Sequence, residues 1–220
     1  MQLIEYPDSA TMMRALAERV AGELKAALSE NQSASLAVPG GTTPGPMFDA
    51  LSMADVDWAN VNVLLTDERA VPADSDRSNE KLLKSRLLVG RAQAANFVRY
   101  IPDDEADMVA MQARVDALGA LSVLVLGMGE DMHTASLFPG SPELETALSD
   151  DAPSILAVEA PGAPEPRFTL TAPILAKATK KHVLIKGEGK KQALTTALAS
   201  TTEQAPIGVV LDTATVHWAP

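Results

Sequence analysis

Among the side chains that could move a proton at neutral pH, His133 stands in the most informative setting. Its imidazole type titrates near neutrality, so it can accept and return a proton under ordinary conditions. It falls in the stretch GMGEDMHTASLFPG that begins at Gly127, directly after the apolar run of residues 121–126. A short run rich in Val and Leu reads as a strand buried on both faces. Gly127 and Gly129 then let the backbone turn where other residues resist. His133 is therefore expected just past the carboxyl end of a strand, the edge at which open parallel sheets bind ligands. A histidine on its own is more often a structural hydrogen-bonder, so partners are required. The Gly127-x-Gly129 spacing hints at a dinucleotide fingerprint, but Met132 stands at the third glycine position and the match is incomplete.

Two further stretches carry chemistry. Asp67, Glu68 and Arg69 follow the apolar run of residues 61–65, so that Asp67, Glu68 and Asp131 join His133 as candidates for proton chemistry. Pro39-Gly40-Gly41-Thr42-Thr43 reads as an anion cradle, because glycines expose backbone N–H groups and the helix that follows points its positive end at the loop. No Gly-Lys-Ser or Gly-Lys-Thr completes a Walker loop. A helix dipole contributes only roughly 0.3 to 2 kcal/mol to holding an anion. Cationic side chains must supply the rest, and Arg69, Arg77, Arg167 and Lys190 are the candidates. No metal constellation is legible: His133, His182 and His217 are far apart, and there is no cysteine. His182, at the start of an apolar strand, and His217, beside Trp218, read as structural. Ser136 lacks the glycines of a nucleophile elbow, which argues against a serine hydrolase.

The elements that must position these groups alternate. Strands are expected at residues 3–6, 35–38, 61–65, 96–101, 121–126, 154–158, 167–171 and 182–185, with short extended pieces at 209–211 and 216–218. Helices are expected at 10–30, 47–51, 81–88, 104–118, 173–178 and 190–198, with a loosely helical 142–151. Asp8 or Ser9 caps the first helix, and Thr43 and Pro44 read as the N-cap and first residue of the second. Residues 66–69 read as a polar loop, 70–79 as a loop without periodicity, and Pro161, Gly162, Pro164 and Pro166 as a breaker-rich connection. This alternation predicts an α/β chain: a single domain over residues 1–220, with a mainly parallel open sheet covered by helices on both faces. The loops after Val38, Leu65 and Leu126 should meet on one edge.

The 29 acidic against 18 basic residues, for a formal charge of -11, argue against nucleic acid or an anionic membrane as partner. No basic region followed by a long apolar run opens the chain, and no stretch approaches the length of a membrane helix. A cytoplasmic location is expected, and a monomer is the simplest expectation.

Taken in order, Gly40-Gly41-Thr42-Thr43-Pro44, Asp67-Glu68-Arg69 with Val71-Pro72 and Ser78-Asn79, the His133 stretch, Arg167 with Thr169-Leu170-Thr171, and Gly187 to Lys190 resemble the 6-phosphogluconolactonase family. The resemblance implies a modified Rossmann-like fold and hydrolysis of 6-phospho-D-glucono-1,5-lactone to 6-phosphogluconate in the oxidative pentose phosphate pathway, without metal or organic cofactor. It implies His133 as the base, with Asp67 or Asp131 orienting it and Arg69 or a loop N–H stabilising the oxyanion. Gly41, Thr42, Thr43, Arg167 and Lys190 would hold the phosphate, with Arg77 in reserve. One position departs: Met132 stands where the family usually has glycine, and a left-handed backbone there would cost a methionine roughly 1 to 2 kcal/mol. The competing readings are a glucosamine-6-phosphate deaminase or isomerase, whose pattern has a tyrosine after Asp-Glu where this chain has Arg69, and a non-catalytic sugar-phosphate sensor.

Overall fold

The apolar runs become the inner strands of one parallel sheet. The computed structural model describes residues 1–99, 105–160 and 165–220. The chain begins with β1 (Gln2–Glu5), α1 (Ser9–Glu30), β2 (Ala34–Val38), α2 (Gly45–Ser52), β3 (Val61–Leu65) and β4 (Asp67–Arg69). It continues through α3 (Asn79–Arg86), β5 (Asn96–Phe97), α4 (Glu105–Asp116), β6 (Val123–Gly127), α5 (Leu144–Leu148) and β7 (Ile155–Val158). The last third holds β8 (Arg167–Leu170), α6 (Ala172–Ala176), β9 (Lys180–Lys186), α7 (Glu188–Ala197), α8 (Gly208–Leu211) and β10 (Thr215–Ala219).

Seven strands form the main sheet in the order β1-β10-β9-β6-β2-β3-β5, and every pair in it is parallel. All of β2 is buried, as is β6 up to Leu126, which is why these segments read as continuous apolar runs instead of alternating ones. Asp8 caps α1 by accepting from the Thr11 N–H at 2.7 Å. The buried stripe Met12, Met13, Leu16, Ala17, Val20, Ala21 and Leu24 lies on that helix, which packs on β2, β6 and β10. From β2 the chain builds outward to β3 and β5, then returns to lay β6 on the other side of β2. The order thus reverses between β2 and β6. At such a switch point the loops leaving the two strands diverge to opposite faces and leave a crevice at their carboxyl ends.

The structure corrects the sequence reading in three places. Residues 67–69 are no loop: Asp67–Arg69 is β4, the edge of a second, antiparallel sheet in the order β4-β8-β7. Asp, Glu and Arg carry little strand preference, and what makes this segment a strand is its pairing with the distant β8. The extended piece expected at 209–211 is helical, since a short apolar run does not distinguish helix from strand. Pro44, not Thr43, is the N-cap of α2, with Pro46 in its first turn and no side-chain cap bond. Ile101, Asp104, Pro161, Gly162 and Pro164 lie outside the described residues.

His182 and His217 are buried in the sheet and linked. Tyr6 Oη lies 2.8 Å from His217 Nδ1, His217 Nε2 lies 3.1 Å from His182 Nδ1, and His182 Nε2 lies 2.7 Å from Glu23 Oε2. The Glu23 carboxylate only accepts, so His182 Nε2 carries a hydrogen and its Nδ1 accepts from His217. His217 Nδ1 in turn accepts from the tyrosine hydroxyl. Both rings are satisfied while neutral, which fits a structural role.

Candidate active site

A cleft of about 240 Å³ opens at the carboxyl ends of β2 and β6, lined by the loops that follow them and by β4, β8 and the start of α7. His133 is on its wall, together with Gly127 and Gly129. Its Nδ1 lies 2.5 Å from Asp131 Oδ1, and its backbone N–H donates to the same oxygen at 3.3 Å. A carboxylate at Nδ1 selects the tautomer with the hydrogen there, which leaves the Nε2 lone pair free to take a proton. Phe138 packs against the ring with centroids 4.7 Å apart. A Cβ at Gly129 would collide with both Asp131 and His133, so the pair can close only over a glycine.

The turn is built with Met132 at φ 66°, in the left-handed region. Its N–H donates to Gly129 O at 3.1 Å and its carbonyl accepts from Ile207 N at 3.2 Å, so bonds on both sides hold the strained residue. Met132 thus takes the left-handed backbone itself, and the strain is tolerated. A β-branched residue is still less compatible with positive φ. Met132→Val should therefore lower stability by at least about 1 kcal/mol, or about 2–4 °C in Tm for a chain of this size. Met132→Gly should stay close to wild type, because relief of strain is offset by the greater chain entropy of glycine. Thermal melts of the three proteins check this.

Asp67 is buried, and its Oδ2 accepts from Ser136 Oγ at 2.6 Å with Arg167 Nη1 3.7 Å away. The Ser136 N–H donates to Thr169 Oγ1 at 3.1 Å. Asp67 therefore latches the segment after His133 onto the second sheet, while Asp131 is the carboxylate that meets the imidazole.

Arg69 and Arg167 are direct cross-strand partners in the β4–β8 register. Like charges opposite one another destabilise a sheet unless something negative joins them. Burial is the main influence pushing the Arg167 guanidinium below its ordinary pKa; Arg69 and Arg77 act the same way, while Asp67 and Glu165 oppose it. The Nε atoms of both Arg69 and Arg167 are buried without a hydrogen-bond partner among the described residues. Both guanidinium groups line the cleft and each keeps an Nε donor without a partner, which suits this wall to an anion. Lys190, in the first turn of α7, lines the same cleft, as do Gly41 and Thr43.

Two expected anion ligands lie elsewhere. Thr42 is exposed and off the cleft wall, and Arg77 pairs with Glu165 at 2.6 Å while its carbonyl accepts from Arg69 Nη1. Asn79, which residue type alone did not single out, lines the cleft and packs over Gly40, where a Cβ would collide with its amide. A larger hollow of about 680 Å³ sits at the amino ends of the strands, around Ser35, Asn62 and Thr179, but it holds neither histidine nor arginine. Among the described residues no group of three or more His, Cys, Asp or Glu is placed to hold a metal ion. None of the described helices is long and apolar enough to cross a membrane.

The chain is similar over its whole length to known proteins. A 6-phosphogluconolactonase of Rhizobium meliloti is 43% identical over 100% of this chain and 98% of its own length. One from Pseudomonas putida is 38% identical over 98% of this chain and 92% of its own. The crystal structure of a 6-phosphogluconolactonase from Shewanella baltica superposes with a TM-score of 0.95 at 34% identity, covering 100% of this chain and 98% of that one. Residues 7–218 match the model of the family described as glucosamine-6-phosphate isomerases/6-phosphogluconolactonase. With that match and relatives of this identity spanning its whole length, the chain belongs to the glucosamine-6-phosphate isomerase/6-phosphogluconolactonase family.

Proposed function

We propose that this chain is a 6-phosphogluconolactonase, hydrolysing 6-phospho-D-glucono-1,5-lactone to 6-phosphogluconate in the oxidative pentose phosphate pathway. The observation that carries the reading is the Asp131–His133 pair on the same cleft as the opposed Arg69 and Arg167. The pair supplies a base. The arginines supply a seat for a dianion.

The lactone phosphate takes the cationic wall formed by Arg167 and Lys190, with Gly41 and Thr43 at the amino end of α2. Arg69, opposite Arg167, adds charge for the substrate's anionic oxygens. His133 Nε2 removes a proton from water as the water oxygen bonds to the lactone carbonyl carbon. The tetrahedral oxyanion that forms is stabilised by Arg69 or a loop N–H. As it collapses, the bond to the ring oxygen breaks and the imidazolium returns its proton to that oxygen, leaving an acid and a free hydroxyl. Asp131 keeps the ring in the right tautomer and steadies the imidazolium. A lactone is an activated ester, so no covalent enzyme intermediate is needed. The enzyme acts as a single cytoplasmic domain and as a monomer.

Incubation with freshly generated lactone should release acid well above the enzyme-free rate, and incubation with glucosamine 6-phosphate should release no ammonia. Ammonia release would sink the lactonase reading, and neither activity would point to a sensor. Arg167→Ala or Lys190→Ala should weaken binding of 6-phosphogluconate by about tenfold or more, the cost of losing one charge-assisted contact. The loss should shrink as salt rises, because the contact is electrostatic and partly open to solvent. Unchanged affinity in both variants, measured by calorimetry at low and high salt, removes them from the phosphate site.

A further inference from the structure

Glu68 has a different place from its neighbour Asp67. Its side chain is fully buried and is not on the cleft wall. Oε1 accepts from the N–H groups of Arg69 at 2.6 Å and Asn79 at 2.8 Å; Oε2 accepts from the Glu80 N–H at 2.6 Å and Ser78 Oγ at 3.1 Å. With its acceptor positions filled by donors, the carboxylate is not available to take a proton from a substrate. The Asn79 and Glu80 N–H groups are among those that the start of α3 leaves without helical partners, and the N-cap Ser78 satisfies that of Lys81 at 3.1 Å. One carboxylate thus ties strand β4 to the amino end of α3.

The anion wall hangs from that tie. Asn79 Nδ2 donates to Asp67 O at 3.0 Å, and Asn79 Oδ1 accepts from Arg69 Nη1 at 3.4 Å. The other anchor of Arg69 Nη1 is the carbonyl of Arg77, at the end of the loop that leads into α3. A free arginine side chain has many rotamers, and Arg69 is repelled by Arg167 directly opposite. Left to itself it would swing away and would have to be ordered again at each binding event. Because the Glu68 charge is met by N–H and O–H donors instead of a guanidinium, it holds the scaffold without neutralising Arg69.

We infer that Glu68 is a positioning residue of this site: by clamping the start of α3 to β4 it holds Arg69 beside Arg167 in readiness for the substrate's negative charge. The inference rests on the proposed role of Arg69. The test compares 6-phosphogluconate affinity, kcat and KM in wild type, Glu68→Gln, Arg69→Ala and the double variant. The Gln amide keeps the shape but turns an NH2 toward N–H donors. Glu68→Gln should weaken product binding by tenfold or more and raise KM by a larger factor than it lowers kcat. The double variant should bind no more weakly than Arg69→Ala alone, since residues acting through one another do not add. Losses that multiply in the double variant overturn the inference, as does a folded Glu68→Gln that binds like wild type while Arg69→Ala does not. An Arg69→Ala that binds like wild type overturns the role of Arg69, and the inference with it. Should Glu68→Gln fail to fold, Asn79→Ala removes the side-chain anchor of Arg69 Nη1 on the clamped helix without touching the clamp, leaving the Arg77 carbonyl as the other. Its loss should likewise vanish in the Arg69→Ala background, and an additive loss there overturns the inference.

Discussion

His133→Ala is expected to lower kcat on 6-phosphogluconolactone by on the order of 100-fold to 10,000-fold, the usual contribution of a positioned general acid–base. Binding of 6-phosphogluconate should survive, because Arg69, Arg167 and Lys190 come from other segments than the 127–140 loop. Lactones open spontaneously in neutral water, so the variant must be measured after subtracting the enzyme-free rate, at a pH where that rate is low. Asp131→Asn separates orientation from proton transfer: an amide at 2.5 Å from Nδ1 no longer specifies the tautomer, and kcat should fall by less than in His133→Ala. If His133→Ala keeps nearly full kcat while Asp67→Ala or Asp131→Ala abolishes it, the base is a carboxylate. The family would stand and the mechanism would not.

How much of this was legible in the sequence depends on how local the cause is. The inner strands announced themselves because a parallel strand covered on both faces must be apolar throughout, as β2 and β6 are. Loops leaving adjacent parallel strands share an edge, so the meeting of the Gly40 and Gly127 loops followed from strand identity alone. The Asp131–His133 contact spans two residues across a tight glycine turn, and both partners stood out by type. β4 was missed because its causes are distant: Asp67–Arg69 is a strand through its ladder with β8, and Asp67 is buried because Ser136 reaches it. The same distance hid the division of labour among the carboxylates. Asp67 and Glu68 are adjacent, yet one faces Ser136 and the cleft while the other faces the start of α3. Arg77 was a reasonable anion ligand by type, and only the position of Glu165 shows where its guanidinium goes. Local chemistry was readable; partner choice across the fold was not.

The largest effect expected on stability comes from His217, which lies far from the chemistry. Burial, and after it the neighbouring His182 and Arg19, push the His217 pKa from 6.5 down to about 3. In the unfolded chain the imidazole takes a proton as pH falls through about 6.5, whereas in the folded protein it stays neutral until about 3. Between these values the unfolded state binds more protons, so stability is full above the upper value and falls steadily as pH drops. The separation corresponds to about 5 kcal/mol, a third or more of the stability of an ordinary domain. By pH 4.5 the loss should reach about 3 kcal/mol, or about 6–12 °C in Tm. Asp8, Asp49 and Asp76 are held below the usual carboxylate pKa by hydrogen bonds from Thr11, Arg86 and Lys81 respectively, so their contributions are lost only at lower pH. Denaturant titrations between pH 8 and pH 4.5 follow this loss. His217→Gln is the diagnostic variant, since its carbonyl can accept from Tyr6 and its amide can donate to His182 without any titration. It should be less stable than wild type at pH 8 through imperfect packing, and the gap should narrow as pH falls toward 4.5. A wild-type stability that stays flat over this range, or a variant whose slope matches it, would show that the buried imidazole does not set the acid limit of the fold.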